Sequence, residues 1–173
     1  GWHSKEKKVI FRSSLQNPHS RQESIYMASL NGTDWSDLEL GPANYANFAA
    51  DGEHIVIQRG YLDQAIWKHY KGGRCGKIWY GSLSEKSFIC LSKPESSESL
   101  PFIYEDRIYF VSDSDGIGNL YSYKIDGTDL KQHTFRKDFY VRWPNNYKNI
   151  VVYQSAGDIW KFDIKTGKEE KIE

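Results

Sequence analysis

At 173 residues the chain is long enough to bury a core, and its 23 Lys plus Arg balance 23 Asp plus Glu, so no net field draws nucleic acid or an anionic membrane to it. Aromatic residues make up 15% of the chain, with 12 Tyr and 6 Trp, a composition that suits half-buried pleated surfaces and excludes disorder. No apolar run approaches the roughly 18 residues that cross a bilayer, which predicts no membrane partner.

The chain opens on Gly1-Trp2-His3-Ser4-Lys5, which reads as starting inside a strand and lacks the apolar core of a signal peptide. One phrase then recurs four times: an apolar triplet, a turn or loop, then an apolar residue followed at once by an aromatic one. It reads Val9-Ile10-Phe11 then Ile25-Tyr26, Ile55-Val56-Ile57 then Ile78-Trp79, Ile108-Tyr109-Phe110 then Leu120-Tyr121, and Ile150-Val151-Val152 then Ile159-Trp160. The steps between triplets are 46 (9 to 55), 53 (55 to 108) and 42 (108 to 150), close to the ~40–50 residues of one four-stranded propeller blade. The pattern predicts an all-β protein, a β-propeller of four consecutive four-stranded antiparallel blades. As a single partial domain over residues 1–173, its blades run at about 1–40, 41–92, 93–135 and 136–173.

Within each blade the first strand is predicted to end on Trp2, Phe48, Phe102 or Trp143, before a polar turn at Glu6-Lys7, Asp51-Gly52-Glu53, Glu105-Asp106 or Asn145-Asn146. The triplet is the second strand, apolar on consecutive residues because a middle strand of stacked sheets is covered on both faces. The third strand alternates, as in Leu120-Tyr121-Ser122-Tyr123-Lys124-Ile125, and closes on Asn31-Gly32, Ser84-Glu85, Asp126-Gly127 or Thr166-Gly167, of which Asn-Gly and Asp-Gly are strong hairpin turns. The fourth strands, at 35–40, 87–91, 130–135 and 169–172, carry the Lys and Glu that keep an exposed edge from pairing with other chains. The only helix candidate, 62–70, sits in an inserted loop. An immunoglobulin-like sandwich also uses short strands but does not predict a fourfold repeat of one strand–turn–strand phrase.

The two cysteines test this layout. In a hairpin of 77–83 with 86–91, Cys90 falls opposite Tyr80 and Cys75 lies five residues further along, about 16 Å away and beyond disulfide reach. Both are read as free thiols in a reducing compartment.

Two stretches carry a resemblance. Trp67-Lys68-His69-Tyr70-Lys71-Gly72-Gly73-Arg74-Cys75-Gly76-Lys77-Ile78-Trp79 and the Ser112-Asp113-Ser114-Asp115-Gly116-Ile117-Gly118-Asn119-Leu120-Tyr121 phrase resemble the six-bladed N-terminal propeller of the tricorn protease family. Leu40-Gly41-Pro42-Ala43, the run 126–134 and Gly157-Asp158-Ile159-Trp160 fit in the same order, so the likeness covers essentially the whole chain. The inserted stretch is specific, whereas the Ser-Asp phrase is shared by TolB-like propellers generally. The resemblance implies an incomplete arc, roughly the third to sixth blades. In that family the full chain adds a seven-bladed propeller, a PDZ-like domain and a serine-type peptidase core. It further implies a cytoplasmic, non-catalytic channel wall and scaffold for short peptides, in a peptidase that degrades oligopeptides downstream of the proteasome. None of the family's catalytic residues lies in the matched region. The alternative is a free-standing TolB-like module that binds a protein or peptide on one face.

A search of the residues themselves yields no catalytic, cofactor or metal site. His3, His19, His54, His69 and His133 are scattered over the first three blades without metal-ligand spacing. There is no Gly-x-Ser-x-Gly elbow, phosphate loop or dinucleotide fingerprint. Asp113, Asp115 and Asn119 alternate oxygens as a calcium loop does, but no bidentate Glu follows at the twelfth position, and a polar turn explains them without a metal.

The inserted loop after Arg59 interleaves Arg59, Lys68, His69, Lys71, Arg74 and Lys77 with Tyr61, Trp67, Tyr70 and Trp79. Three roles fit it: packing onto its own blade or a neighbouring domain, contact with a peptide or its terminal carboxylate, and nucleic-acid binding, which the balanced charge ranks last. Arg59, Trp67, Lys68, His69, Tyr70, Lys71 and Arg74 are the candidate peptide or partner contacts. An arc of four blades exposes an apolar face at each end, so the expected partners are the remaining blades and domains of a larger parent, or a second copy.

Overall fold

The computed structural model describes residues 1–16, 22–60 and 68–173; every regular element among them is a strand. Among the described residues no helix is long and apolar enough to cross a membrane. Most of the helix candidate 62–70 lies outside them, and residues 68–70 are turn and coil.

Four antiparallel sheets follow one another along the chain, each with its strands in sequence order. The first comprises β1 (Lys8–Ser13), β2 (Ser24–Ser29) and β3 (Trp35–Asp37), with a single Trp2–Val9 bridge where an innermost strand would lie. The second is β4 (Tyr45–Phe48), β5 (His54–Arg59), β6 (Lys77–Ser82) and β7 (Ser87–Cys90). The third is β8 (Glu98–Tyr104), β9 (Arg107–Ser112), β10 (Asn119–Lys124) and β11 (Lys131–Gln132). The fourth is β12 (Arg142–Tyr147), β13 (Ile150–Ser155), β14 (Asp158–Asp163) and β15 (Glu169–Lys171). This is a four-blade propeller.

Three apolar cores lie between successive blades. Ile10 and Ile25 of the first pack on Phe48, Ile55 and Ile57 of the second. Val56 and Ile78 meet Ile108, Phe110, Tyr121 and Tyr123, and Tyr109, Val111 and Leu120 meet Val151, Tyr153 and Phe162. The middle triplets, Ile55-Val56-Ile57 and Ile108-Tyr109-Phe110, are buried throughout. In the end blades only the central residue is: Phe11 is 40% and Val152 37% exposed. The cause is the missing neighbour. Registers Phe11–Tyr26 and Ala28–Trp35 put Trp2, Phe11 and Trp35 on the outward face of the first blade, and registers Tyr147–Ile150 and Val152–Lys161 put Tyr147, Val152 and Ile159 on that of the last.

Two first strands differ from the simple hairpins predicted. Each contains a bulge at an X-Pro step, Leu100-Pro101 in β8 and Trp143-Pro144 in β12, where the residue before proline takes positive φ (55° and 47°). The extra residue carries the strand further, so Phe102 and Trp143 are not strand ends. Asn145 and Asn146 belong to β12, and the turn falls after Tyr147 at Lys148. In the second blade, Cys90 pairs with Trp79, one residue from the predicted Tyr80, because the loop after Ser82 takes four residues and places Lys86 at φ 50°. Both cysteines are free thiols, Cys75 buried and Cys90 exposed.

Polar side chains lock the blades in register. Gln58, fully buried, accepts the Leu100 N–H at 2.7 Å across the second interface, and Asn47 accepts that of Ile103 at 3.1 Å. His3 joins the first two blades: its Nδ1 accepts the Glu6 N–H at 2.9 Å, its Nε2 lies 3.1 Å from the Gly52 carbonyl, and its ring packs on Phe48.

Candidate functional site

The insertion leaves β5 at Arg59 and rejoins β6 at Lys77. Its two arms meet at a neck where Gly60, at φ 89°, lies against Cys75; a Cβ there would sit 2.2 Å from the Cys75 carbonyl oxygen. Both the positive φ and the close approach require glycine. Gly60→Ala is expected to cost at least about 1 kcal/mol and to open the neck, seen as faster proteolytic nicking of the insertion and a lower urea midpoint; an unchanged nicking rate would refute it.

Trp67 lies outside the described residues. From Lys68 onward the arm returns from the fourth blade over the third to the second. The Lys68 ammonium stands 4.9 Å from the centre of the Tyr140 ring, and the His69 N–H donates to Asp113 Oδ2 at 2.9 Å. Tyr140 OH donates to the same oxygen at 3.4 Å. Asp113 is therefore the socket that fixes the insertion. Asp115 accepts Tyr121 OH at 2.9 Å, and Asn119 Oδ1 accepts Thr134 Oγ1 and the Arg136 N–H. The three residues with calcium-like spacing thus bond to protein groups, and among the described residues no three His, Cys, Asp or Glu side chains gather as a metal ligand set.

The candidate contacts divide into two groups. Arg59 donates to the Leu40 carbonyl at 2.8 Å and lies over Trp79. Lys68 and His69 fasten the crossing, and the Tyr70 carbonyl accepts the Cys75 thiol at 3.0 Å. Lys71 and Arg74 are exposed. Beneath the crossing, one cavity of about 320 Å³ is lined by His69, Tyr70, Lys71, Lys93, Glu95 and Asp113, and a second of about 260 Å³ by Lys68, Phe139, Tyr140 and Arg142. Lys93, Glu95 and Arg142 went unseen in the sequence because they sit on other blades and their linkers.

Also unseen was a groove of about 920 Å³ to which all four blades contribute. Asn44, Asn47, Asn145 and Asn146 line it with Arg12 and Lys148, and so do Trp2, Phe11 and Tyr147 of the outward end faces. The usable signal was two Asn pairs in first-strand positions.

One pair has the spacing of a nucleophile and base: Ser122 Oγ lies 2.7 Å from His133 Nε2. Ser122 is fully buried, however, and its oxygen also accepts Arg107 Nε at 2.9 Å. Burial first, then the Arg107 and Lys131 charges, push the His133 pKa down to about 4. The pair is an internal bridge that no substrate reaches.

A β-propeller arc of four blades, the second carrying a long insertion, is the class that these features define. The chain belongs to the tricorn protease N-terminal β-propeller family, whose model, described as the tricorn protease N-terminal beta propeller domain, matches residues 1–168. The tricorn protease of Thermoplasma volcanium is 40% identical over 162 residues, covering 92% of this chain and 15% of that protein. A tricorn protease homolog of Saccharolobus solfataricus is 34% identical over 173 residues, covering 100% of this chain and 16% of that protein. The crystal structure of the tricorn protease superposes with a TM-score of 0.87 at 36% identity, over 96% of this chain and 16% of that one. TolB from Acinetobacter baumannii, at 15% identity, 98% and 41% coverage and a TM-score of 0.73, shares the fold alone. The chain thus spans about one-sixth of the length of its tricorn relatives.

Proposed function

We propose that this chain is the non-catalytic propeller segment of a larger, cytoplasmic, tricorn-like serine-type peptidase, and that its inner strands wall a passage for short peptides. The observation that carries this is the groove that all four blades line, whose inner-strand side presents Asn44, Asn47, Asn145 and Asn146, while Trp2, Phe11 and Tyr147 line the side that further blades would cover. Amides hydrogen-bond a passing peptide backbone without favouring one side-chain charge. Lys71 and Arg74, presented by the insertion that Arg59, Lys68, His69 and Tyr70 shape, are the proposed contact for a peptide carboxylate or an acidic partner surface. The two outward apolar faces are proposed to meet the further blades of a six-bladed ring.

In the full-length protein, Asn145→Trp combined with Asn146→Trp narrows the groove. Oligopeptide turnover is expected to fall several-fold in kcat with little change in KM, as obstructed product release would give. Unchanged turnover, or a change confined to KM, would count against the passage.

A further inference from the structure

Away from the insertion and the groove, a cavity of about 250 Å³ opens between the second and third blades. Leu91, Phe110 and Leu130 wall it, and Tyr121, Tyr123 and Glu98 form its floor. The three floor residues are at most 5% exposed. Phe110 packs against both tyrosines, its ring centre 4.6 Å from that of Tyr123 and 6.2 Å from that of Tyr121.

The hydrogen bonds decide what this cavity offers. Tyr123 OH donates to Glu98 Oε2 at 3.3 Å, and Tyr121 OH donates to Asp115 Oδ2 at 2.9 Å. Glu98 Oε2 also accepts Ser92 Oγ at 2.6 Å. Each phenolic proton is engaged by a carboxylate. What remains for a ligand is phenolic and carboxylate lone pairs beside aromatic faces, a floor of acceptors. The Lys77 ammonium does not bond Glu98, because it donates to the Lys93, Pro94 and Ser96 carbonyls at 2.6, 2.7 and 2.5 Å. Lys93 lies on the lining as the one basic side chain there. A volume of about 250 Å³ is several times the ~30 Å³ share of one water, and lies just below the range of small-ligand pockets.

We propose that this cavity binds an alkylammonium or guanidinium group on a short apolar stem. The head sits against Glu98 and the phenolic oxygens and rings of Tyr121 and Tyr123, and the stem lies along Leu91 and Leu130. A free amine and a Lys or Arg side chain of a peptide share this chemistry. The site is separate from the peptide passage and does not depend on it.

Calorimetric titration of the protein with cadaverine, agmatine and Nα-acetyl-lysine methylamide tests the site, with 1-pentanol and Nα-acetyl-norleucine methylamide as uncharged controls. Saturable binding of the cations is expected, weakened about tenfold or more in the neutral controls and in Glu98→Gln. Leu130→Trp, at an exposed wall position, fills the mouth without disturbing the core and is expected to weaken binding at least about fivefold with an unchanged melting temperature. Capped lysine binding as tightly as cadaverine assigns a peptide side chain, and binding of the free amines alone assigns a small amine. Absence of saturable binding, neutral controls that bind as tightly as the cations, or a Leu130→Trp variant that binds like the parent would overturn the proposal.

Discussion

Produced alone, the chain is expected to sediment as concentration-dependent oligomers, and the pair Trp35→Lys with Ile159→Lys is expected to return it to a monomer. The end blades present apolar faces of the kind that the middle blades bury. Trp2, Phe11 and Trp35 stand exposed on one, and Tyr147, Val152 and Ile159 on the other. Contiguous apolar patches of several hundred Å² are rare on monomers and associate at about 25 cal/mol per Å² removed from water. Because the faces belong to opposite ends of the arc, stacking them is head-to-tail and does not close at two copies unless the geometry allows it. A lysine on each face sets like charges against one another in any such contact. Both sites are about half exposed, Trp35 at 49% and Ile159 at 46%, so folding should shift by no more than about 0.5 kcal/mol. Sedimentation velocity across a concentration series distinguishes the outcomes; a monodisperse parent chain at every concentration would refute the claim that these faces are uncovered interfaces.

Much of the architecture was legible because it repeats. Four apolar triplets became four second strands, and Asn31-Gly32, Asp126-Gly127 and Thr166-Gly167 became turns with each glycine at positive φ. The burial of whole triplets held only where a neighbour exists on each side, a condition set by the ring and not by the strand. The bulges at Leu100 and Trp143 were hidden because proline's restriction on the preceding residue ordinarily favours extended backbone, while here positive φ is held, at Leu100, by an N–H bond to Gln58 of another blade. The candidate loop was visible from its basic and aromatic composition, but not its direction. That depends on Asp113, some 44 positions further along the chain than His69. Asn119 was read as part of a polar turn, and it instead opens β10 and holds the linker between the third and fourth blades.

That linker underlies the second large effect: Arg136→Met is expected to destabilise the fold by roughly 2–3 kcal/mol. Asn119 fixes the backbone of Arg136 to the third blade, accepting its N–H at 2.8 Å and donating to its carbonyl at 3.1 Å. The side chain then reaches into the fourth blade. Its guanidinium lies 3.7 Å from the centre of a Trp160 ring and donates to Tyr153 OH at 3.2 Å and to Glu169 Oε1. The two charged side chains are 20% and 27% exposed, so salt screens their attraction less than it would at the surface. Methionine keeps the length and apolar character of the stem, removes the cation from the indole and leaves Glu169 without its partner. For a domain of this size the loss corresponds to a melting temperature lower by about 5–10 °C. Adding Glu169→Gln should recover part of it, because the uncompensated carboxylate disappears, and a double-mutant cycle isolates that share. Measured in the monomeric Trp35→Lys, Ile159→Lys background, a melting point within about 1 °C of the parent would show that the third and fourth blades are joined by their apolar core alone.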